Sequence, residues 1–147
     1  MRSWRRPASI IATALVLATV IACSDTEEQS PDDGVLRVVT TVSPITSLVE
    51  NIGGSRIRLE GIIPEGTNSH TFSPSPSVAR VMAEADLIVL NGLFLEEPSL
   101  EMARANKKSD AVILALGDAA ISPDEWVFDF SFPQSDGYPN PHLWTNP

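Results

Sequence analysis

Two proline-rich stretches carry the only two histidines of the chain. His70 lies within residues 61–77, and His142 lies within residues 140–144, near the end of the 147 residues. A neutral imidazole nitrogen is the most common protein ligand for Zn²⁺ and also binds Mn²⁺ or Fe²⁺. A closed tetrahedral zinc site needs four ligands, so two histidines supply half of one. The chain also offers three candidate oxygen ligands: Glu65, Asp129 and Asp136. Their spacing from the histidines does not require any of them to bind a metal.

Prolines and glycines place both histidines on loops. Pro64 and Gly66 exclude a regular element before His70, and Pro74 and Pro76 exclude one directly after it. The loop joins a predicted strand to a predicted helix, at the sheet edge where ligands bind in α/β proteins. A single loop histidine is more commonly an ordinary polar surface residue. The shared placement of the two histidines is what favours a ligand role.

Catalytic motifs are not found in this sequence. It contains no Gly-x-Ser-x-Gly elbow, no His-Glu-x-x-His helix and no Gly-rich phosphate loop. The sole cysteine, Cys23, directly follows an apolar N-terminal run, and lipidation explains it better than an ordinary signal cut nearby that leaves a free thiol. The residues therefore favour binding over catalysis.

Alternating strand and helix patterns must position the two histidine loops. Apolar runs predict strands at residues 35–42, 56–63, 86–90 and 111–116. Periodic apolar residues predict helices at residues 44–52, at residues 76–85 and from about residue 99. Ser43 and Ser75 each precede a proline and are predicted helix caps. The alternation predicts an α/β fold with a four-stranded parallel sheet flanked by helices.

The regular pattern ends after Gly117. Residues 121–139 contain prolines, scattered aromatic residues and acids, with no usable helical period. Phe128, Phe130 and Phe132 occupy alternate positions, which is compatible with a short strand or with a packed loop. Both alternatives remain open for this segment.

The N-terminal segment is predicted to lie outside the folded domain. Arg2, Arg5 and Arg6 precede a charge-free run at residues 7–22, which is typical of a secretory signal. The run is shorter than the roughly 20 residues of a membrane span. Its end, directly before Cys23, resembles a bacterial lipobox. We therefore predict a signal peptide at residues 1–22, a lipidated Cys23 and a polar tether at residues 23–34.

The acidic composition restricts the partners of the protein. The formal net charge is −9, all 19 acidic residues follow the signal, and three of the ten basic residues lie within it. The folded part is therefore more acidic than the whole chain. Such a charge argues against nucleic acid or an anionic membrane face as a partner. It suits a cation, although a merely soluble acidic surface explains the same charge.

Motifs along the whole folded part resemble those of one known family. They are the first strand with Ser43-Pro44, the histidine loop at residues 66–77 with its Pro-x-Pro, residues 85–89, residues 91–96, and Asn140-Pro141-His142-Leu143-Trp144. In this order they resemble the N-terminal lobe of the zinc/manganese solute-binding lipoproteins of ABC importers, the ZnuA/TroA-like cluster. The resemblance covers residues 35–147.

The resemblance implies one lobe of a two-lobed metal-binding protein, with the ion in the cleft between the lobes. It implies that His70 and His142 are metal ligands and that two further ligands belong to a C-terminal lobe. The chain stops at Pro147, before a linking helix would begin, so we interpret it as a truncated member with weak metal binding. The implied protein is a monomeric receptor, anchored through Cys23 in the periplasm or at the cell surface. It binds zinc or manganese, delivers the ion to a membrane permease and is not an enzyme.

Two other functions stay open for this sequence. A secreted metallohydrolase fragment could hold a catalytic zinc on the two histidines, with Glu65 as the nearby general base. A surface adhesin is a third possibility that the same family suggests.

Overall fold

The computed structural model describes residues 34–145, so the predicted signal peptide, Cys23 and nearly all of the tether lie outside the described residues. Eight elements follow one another: β1 (Leu36–Thr40), α1 (Ser43–Gly53), β2 (Ile57–Gly61), α2 (Pro76–Glu84), β3 (Leu87–Leu90), α3 (Glu97–Asn106), β4 (Val112–Ala115) and α4 (Leu116–Ala120). Short 3-10 turns occupy Gly54–Arg56, Pro123–Glu125, Gln134–Asp136 and Leu143–Thr145. Within residues 34–145, no helix has the length and apolar character needed to cross a bilayer.

The strands form one parallel sheet in the order β2-β1-β3-β4, which confirms the predicted four-stranded parallel sheet. Val38 in the central strand β1 lies opposite Leu59 of β2 and Leu87 of β3. The chain runs from β1 to β2 in one direction and then crosses back to β3 on the other side of β1. The point at which the direction reverses therefore lies between β1 and β3, and α/β proteins bind ligands at the carboxyl end of such a point.

The helices cover the sheet on both faces. Because parallel crossovers are right-handed, the reversal after β2 places α1 on the face opposite to α2 and α3. Helices α2 and α3 pack against each other, and α1 packs against β1 and β2. The side chains of Met82 on α2 and of Ile88 and Leu90 on β3 are each at most 1% exposed. They belong to the apolar core, which holds the strand ends in place.

Neither predicted serine cap donates or accepts a capping bond to the helix backbone. Helix α1 begins at Ser43 itself, and its N-cap is Val42, whose carbonyl accepts from the Thr46 N–H at 3.0 Å. The Ser43 cap prediction was therefore wrong by one position, because the helix starts a residue earlier. Ser75 is the N-cap of α2 as predicted, but its hydroxyl bonds to the Ser77 hydroxyl at 2.7 Å.

The region after β4 differs most from the prediction. Helix α4 follows β4 directly, and tertiary contacts hold it: the Gly117 N–H donates to the Asn91 carbonyl at 2.7 Å, and Leu93 packs against Gly117. Residues 126–142 form a loop that contains a 3-10 turn and no strand. The alternating phenylalanines belong to this packed loop, because the Asp129 N–H donates to the Phe132 carbonyl and closes a tight turn.

Candidate metal centre

The two histidines meet beyond the carboxyl ends of the strands. His70 follows β2, His142 lies near the end of the described chain, and their Nε2 atoms are 3.2 Å apart. Two Zn–N bonds of about 2.0–2.1 Å at the tetrahedral angle place two nitrogens roughly 3.3–3.4 Å apart. The two rings therefore converge as two ligands of one ion would.

Each histidine is held by the asparagine two residues before it. The Asn68 side-chain oxygen accepts from the backbone N–H of His70 at 3.0 Å. The Asn140 side-chain oxygen accepts from the backbone N–H of His142 at the same distance. This Asx turn fixes the backbone locally and suits an extended loop that lacks a regular ladder. The same Asn-x-His device thus presents both rings.

The His142 ring has further polar partners. Its Nδ1 lies 2.7 Å from the Asn140 side-chain oxygen, and the Asn140 amide donates to the Asp129 carboxylate at 2.6 Å. Asp129 also accepts from the backbone N–H groups of Ser131 and Phe132, at 2.8 and 3.0 Å. These hydrogen bonds, with that from Asn140 the largest, lower the pKa of Asp129, so it is a carboxylate at neutral pH.

Aromatic rings enclose the histidine pair. Phe132 stacks on His70 with ring centroids 5.8 Å apart and meets the His142 ring edge-on at 5.6 Å. Trp144 contacts His142 edge-on at 5.2 Å. Burial lowers the pKa of His142, the neighbouring His70 lowers it further, and Asp129 acts in the opposite direction. His142 is therefore neutral over a wider pH range than a free histidine, as a metal ligand must be.

A buried hydrogen-bond network anchors the His142 loop to the sheet. Glu96 is 3% exposed and accepts from the Thr41 hydroxyl at 2.6 Å and from the Asn91 N–H at 2.7 Å. The Asn91 side chain in turn donates to the Pro141 carbonyl at 2.9 Å. Thr41 follows β1 and Asn91 follows β3, so Glu96 bridges the two strands at the point where the topology reverses. Burial raises the pKa of Glu96, although its hydrogen bonds counter this.

A left-handed turn shapes the neighbouring cavity. Gly92, Leu93 and Phe94 have φ angles of 80°, 51° and 63°, a backbone region that costs energy for residues other than glycine. The Leu93 N–H donates to the Asp118 carboxylate at 3.1 Å, which helps to hold the turn. The turn presents Phe94 to a cavity of about 460 Å³, whose lining includes His70, Phe132, Glu97 and Tyr138.

The three candidate oxygen ligands do not join the histidine pair. Within residues 34–145, no group of three or more His, Cys, Asp or Glu side chains is placed to hold a metal ion. Asp129 lies behind His142, where it binds Asn140. Glu65 lines a different pocket, beside Pro44 and Trp144. Asp136 accepts from the neighbouring Ser135 hydroxyl at 3.1 Å.

Sequence analysis missed Asn68, Asn140 and the buried Glu96. The first two carry a local signal, because Asn-x-His occurs at both histidines, and an asparagine or aspartate two residues upstream can form an Asx turn. Glu96 carries no such signal. Its partners Thr41 and Asn91 come from two different strand ends, and only the folded sheet brings them together.

Comparisons with known proteins agree with this architecture. The chain is 31% identical over 137 residues to the metal ABC transporter substrate-binding lipoprotein SsaB of Streptococcus sanguinis, covering 90% of this chain and 43% of that protein. It is 29% identical over 148 residues to the manganese ABC transporter substrate-binding lipoprotein PsaA of Streptococcus pneumoniae, covering 97% of this chain and 46% of that protein. The chain thus spans about half the length of the curated relatives it matches.

Solved structures of periplasmic metal-binding proteins share the fold. The periplasmic zinc-binding protein TroA of Treponema pallidum superposes with a TM-score of 0.64 and 26% identity, over 76% of this chain and 38% of that one. A cadmium-bound periplasmic metal-binding protein of Candidatus Liberibacter asiaticus superposes with a TM-score of 0.62 and 28% identity, over 74% and 38% of the two chains. The model of the family described as ZnuA, the periplasmic component A of the zinc-uptake complex, matches residues 38–147. Because that match spans most of the sequence, the chain belongs to the ZnuA family, as its motifs predicted.

Proposed function

We propose that this chain is the N-terminal lobe of an extracytoplasmic receptor for a divalent transition metal, zinc or manganese. The receptor delivers the ion to the membrane permease of an ABC importer and is not itself an enzyme. The observation that carries this proposal is the 3.2 Å separation of the His70 and His142 Nε2 atoms. Relatives named as substrate-binding lipoproteins of metal ABC transporters support it.

Metal capture proceeds by exchange of water ligands for imidazole nitrogens. His70 and His142 each supply one Nε2, and the aromatic rings of Phe132 and Trp144 limit the freedom of the two imidazoles. Two neutral nitrogens leave the charge of the ion uncompensated, so water fills the other positions and this lobe alone binds weakly. In the complete receptor, a second lobe contributes the remaining ligands.

Calorimetric titration with Zn²⁺ and Mn²⁺ tests the role of the two histidines. We expect His70→Ala and His142→Ala each to abolish or greatly weaken metal binding, because each removes one of two nitrogen ligands. Glu65→Gln is the matched control, since Glu65 lines a separate pocket and its substitution should leave the titration unchanged. Undiminished binding in either histidine variant would remove that residue from the site.

Membrane attachment is proposed to occur through lipidated Cys23. The name lipoprotein in the relatives supports this assignment, together with the apolar run before the only cysteine. Expression in a bacterium fed a radiolabelled fatty acid should label the protein and retain it in the membrane fraction. Cys23→Ala should remove the label and release the protein; a membrane-bound, labelled variant would contradict the assignment.

The two alternative functions have less support. A metallohydrolase would need a general base beside the metal, and its candidate, Glu65, lies in a different pocket from His70. We expect the protein to show no chelator-sensitive hydrolysis of an activated ester. Hydrolysis that a chelator abolishes would support this alternative. The surface adhesin stays a prediction, because no contact within residues 34–145 bears on it.

A further inference from the structure

The side-chain amide of Asn140 has only one allowed orientation. On one side, its nitrogen lies 2.6 Å from an oxygen of Asp129, and an ionised carboxylate can only accept a hydrogen bond. On the other side, its oxygen lies 3.0 Å from the backbone nitrogen of His142, which can only donate. Turning the amide over would set two donors against each other on the His142 side and two acceptors against each other on the Asp129 side.

This orientation decides which ring nitrogen of His142 carries the hydrogen. The same Asn140 oxygen lies 2.7 Å from His142 Nδ1, so Nδ1 must be the donor. A neutral imidazole has one N–H and one bare nitrogen, and the bare nitrogen is then Nε2. That atom faces His70 at 3.2 Å. The Asp129 carboxylate and the His142 backbone N–H therefore set the polarity of this chain of bonds from the two sides of the Asn140 amide.

We infer that Asp129 is a positioning residue which, acting through Asn140, holds His142 as its Nδ1–H tautomer and presents a bare Nε2 for metal binding. The inference rests on the proposed function, since a bare Nε2 matters because it can bind a metal. Outer partners of metal-bound histidines commonly fix the ring in this way, usually by direct contact. Here an amide relays the effect of the carboxylate, 11 residues away in sequence from Asn140.

Asp129 has a second role that must be kept separate from the first. One of its oxygens, Oδ1, accepts from the backbone N–H groups of Ser131 and Phe132 and closes the turn that carries the Phe132 ring. The other oxygen, Oδ2, accepts from the Asn140 amide. In Asp129→Asn, the retained oxygen can keep the turn while an NH₂ group replaces Oδ2. The substitution therefore sets an NH₂ group against the Asn140 amide nitrogen and opposes the relay, with little change in shape.

Nitrogen-15 NMR of the metal-free protein measures the tautomer directly. At a pH of about 8, where a histidine of ordinary pKa near 6.5 is neutral, the ring nitrogen shifts distinguish Nδ1–H from Nε2–H. We expect mostly Nδ1–H at His142 in the unmodified protein. Asn140→Ala removes the acceptor at Nδ1, and Asp129→Asn opposes the Asn140 orientation that places this acceptor there, so both variants should shift the population toward Nε2–H. Asp136→Asn is the control, because Asp136 lies in the same loop and contacts Ser135 instead.

Titration of the same variants with Zn²⁺ links the tautomer to metal binding. Loss of an outer partner typically weakens metal binding about 10- to 100-fold, and we expect a loss of this size in Asp129→Asn but none in Asp136→Asn. The inference is overturned if His142 is already Nε2–H in the unmodified protein, or if Asp129→Asn leaves both tautomer and affinity unchanged. A normal tautomer response combined with metal binding that does not need His70 would instead overturn the proposed function and leave the relay intact.

Discussion

Replacement of Glu96 by alanine tests whether the buried carboxylate holds the site together. Glu96 accepts from the Asn91 N–H at 2.7 Å, from the Gly92 N–H at 3.2 Å and from the Thr41 hydroxyl at 2.6 Å. Alanine leaves two buried backbone N–H groups without an acceptor, and each unsatisfied group costs about 1–3 kcal/mol. Removal of a buried charge offsets part of this cost. We expect the free energy of unfolding to fall by about 3 kcal/mol.

Urea denaturation followed by circular dichroism measures this loss. Glu101→Ala is the control, because Glu101 is exposed on helix α3, which begins directly after Glu96, and such surface changes usually stay within about 0.5 kcal/mol. A loss below about 1 kcal/mol for Glu96→Ala, at an unchanged slope with urea, would refute the view that the carboxylate satisfies these buried groups.

The pH dependence of stability separates the charge of Glu96 from its hydrogen bonds. Burial raises the pKa of Glu96 in the folded state above its ordinary value of 4.5. The contribution of Glu96 to the free energy of unfolding is then fully present below pH 4.5 and is lost as the pH rises through the folded-state pKa. Glu96→Gln is neutral throughout, so the unmodified protein should lose stability relative to this variant over that window. An unchanged difference across the window would contradict a raised pKa.

Three further predictions concern the buried core, the turn beside the site and the Lys108–Asp86 ion pair. Met82→Ala should lower the free energy of unfolding by about 2–5 kcal/mol in urea denaturation, because the side chain is fully buried; a loss under 1 kcal/mol would show that the core closes over the gap. Gly92→Ala should lower the melting temperature, because a Cβ at φ 80° would lie 2.1 Å from an Asp118 oxygen; an unchanged melting temperature would mean that the turn relaxes freely. The hydrogen bond from Lys108 lowers the pKa of Asp86 below 3.8, so its stabilising effect is lost as the pH falls through that lower value; Asp86→Asn should flatten acid unfolding there, and an equally steep profile would exclude Asp86 as a cause.

Local patterns predicted the sheet and the histidine loops because the signals for both lie within a few residues. Strands appear as short apolar runs, and a histidine between prolines has no regular element available to it. The shared placement of His70 and His142 on proline-bounded loops favoured a ligand role for both, and the family resemblance implied that they bind one ion. No sequence rule joins positions so far apart.

Features that depend on tertiary contacts were not predictable in the same way. Helix α4 forms where Gly117 contacts Leu93 and Asn91. A local window of sequence around Gly117 contains neither of these two residues. The left-handed conformation of Leu93 and Phe94 contradicts the local preference of both residues. The phenylalanine alternation was ambiguous because the Asp129 side chain closes a turn within the pattern, and Asn140, which lies outside the pattern, binds that side chain.

The long sequence separation of His70 and His142 means that a metal ion held by both side chains would also stabilise the fold. His70 and His142 are 72 positions apart, so one cation on both rings acts as a reversible cross-link across most of the folded part. A permanent cross-link that closes a loop of this length disfavours the unfolded chain by about 4 kcal/mol. In the proposed receptor, a metal ion held by both histidines would therefore stabilise the folded state as well as being transported, and removal of the ion would make the protein easier to unfold and to digest with a protease.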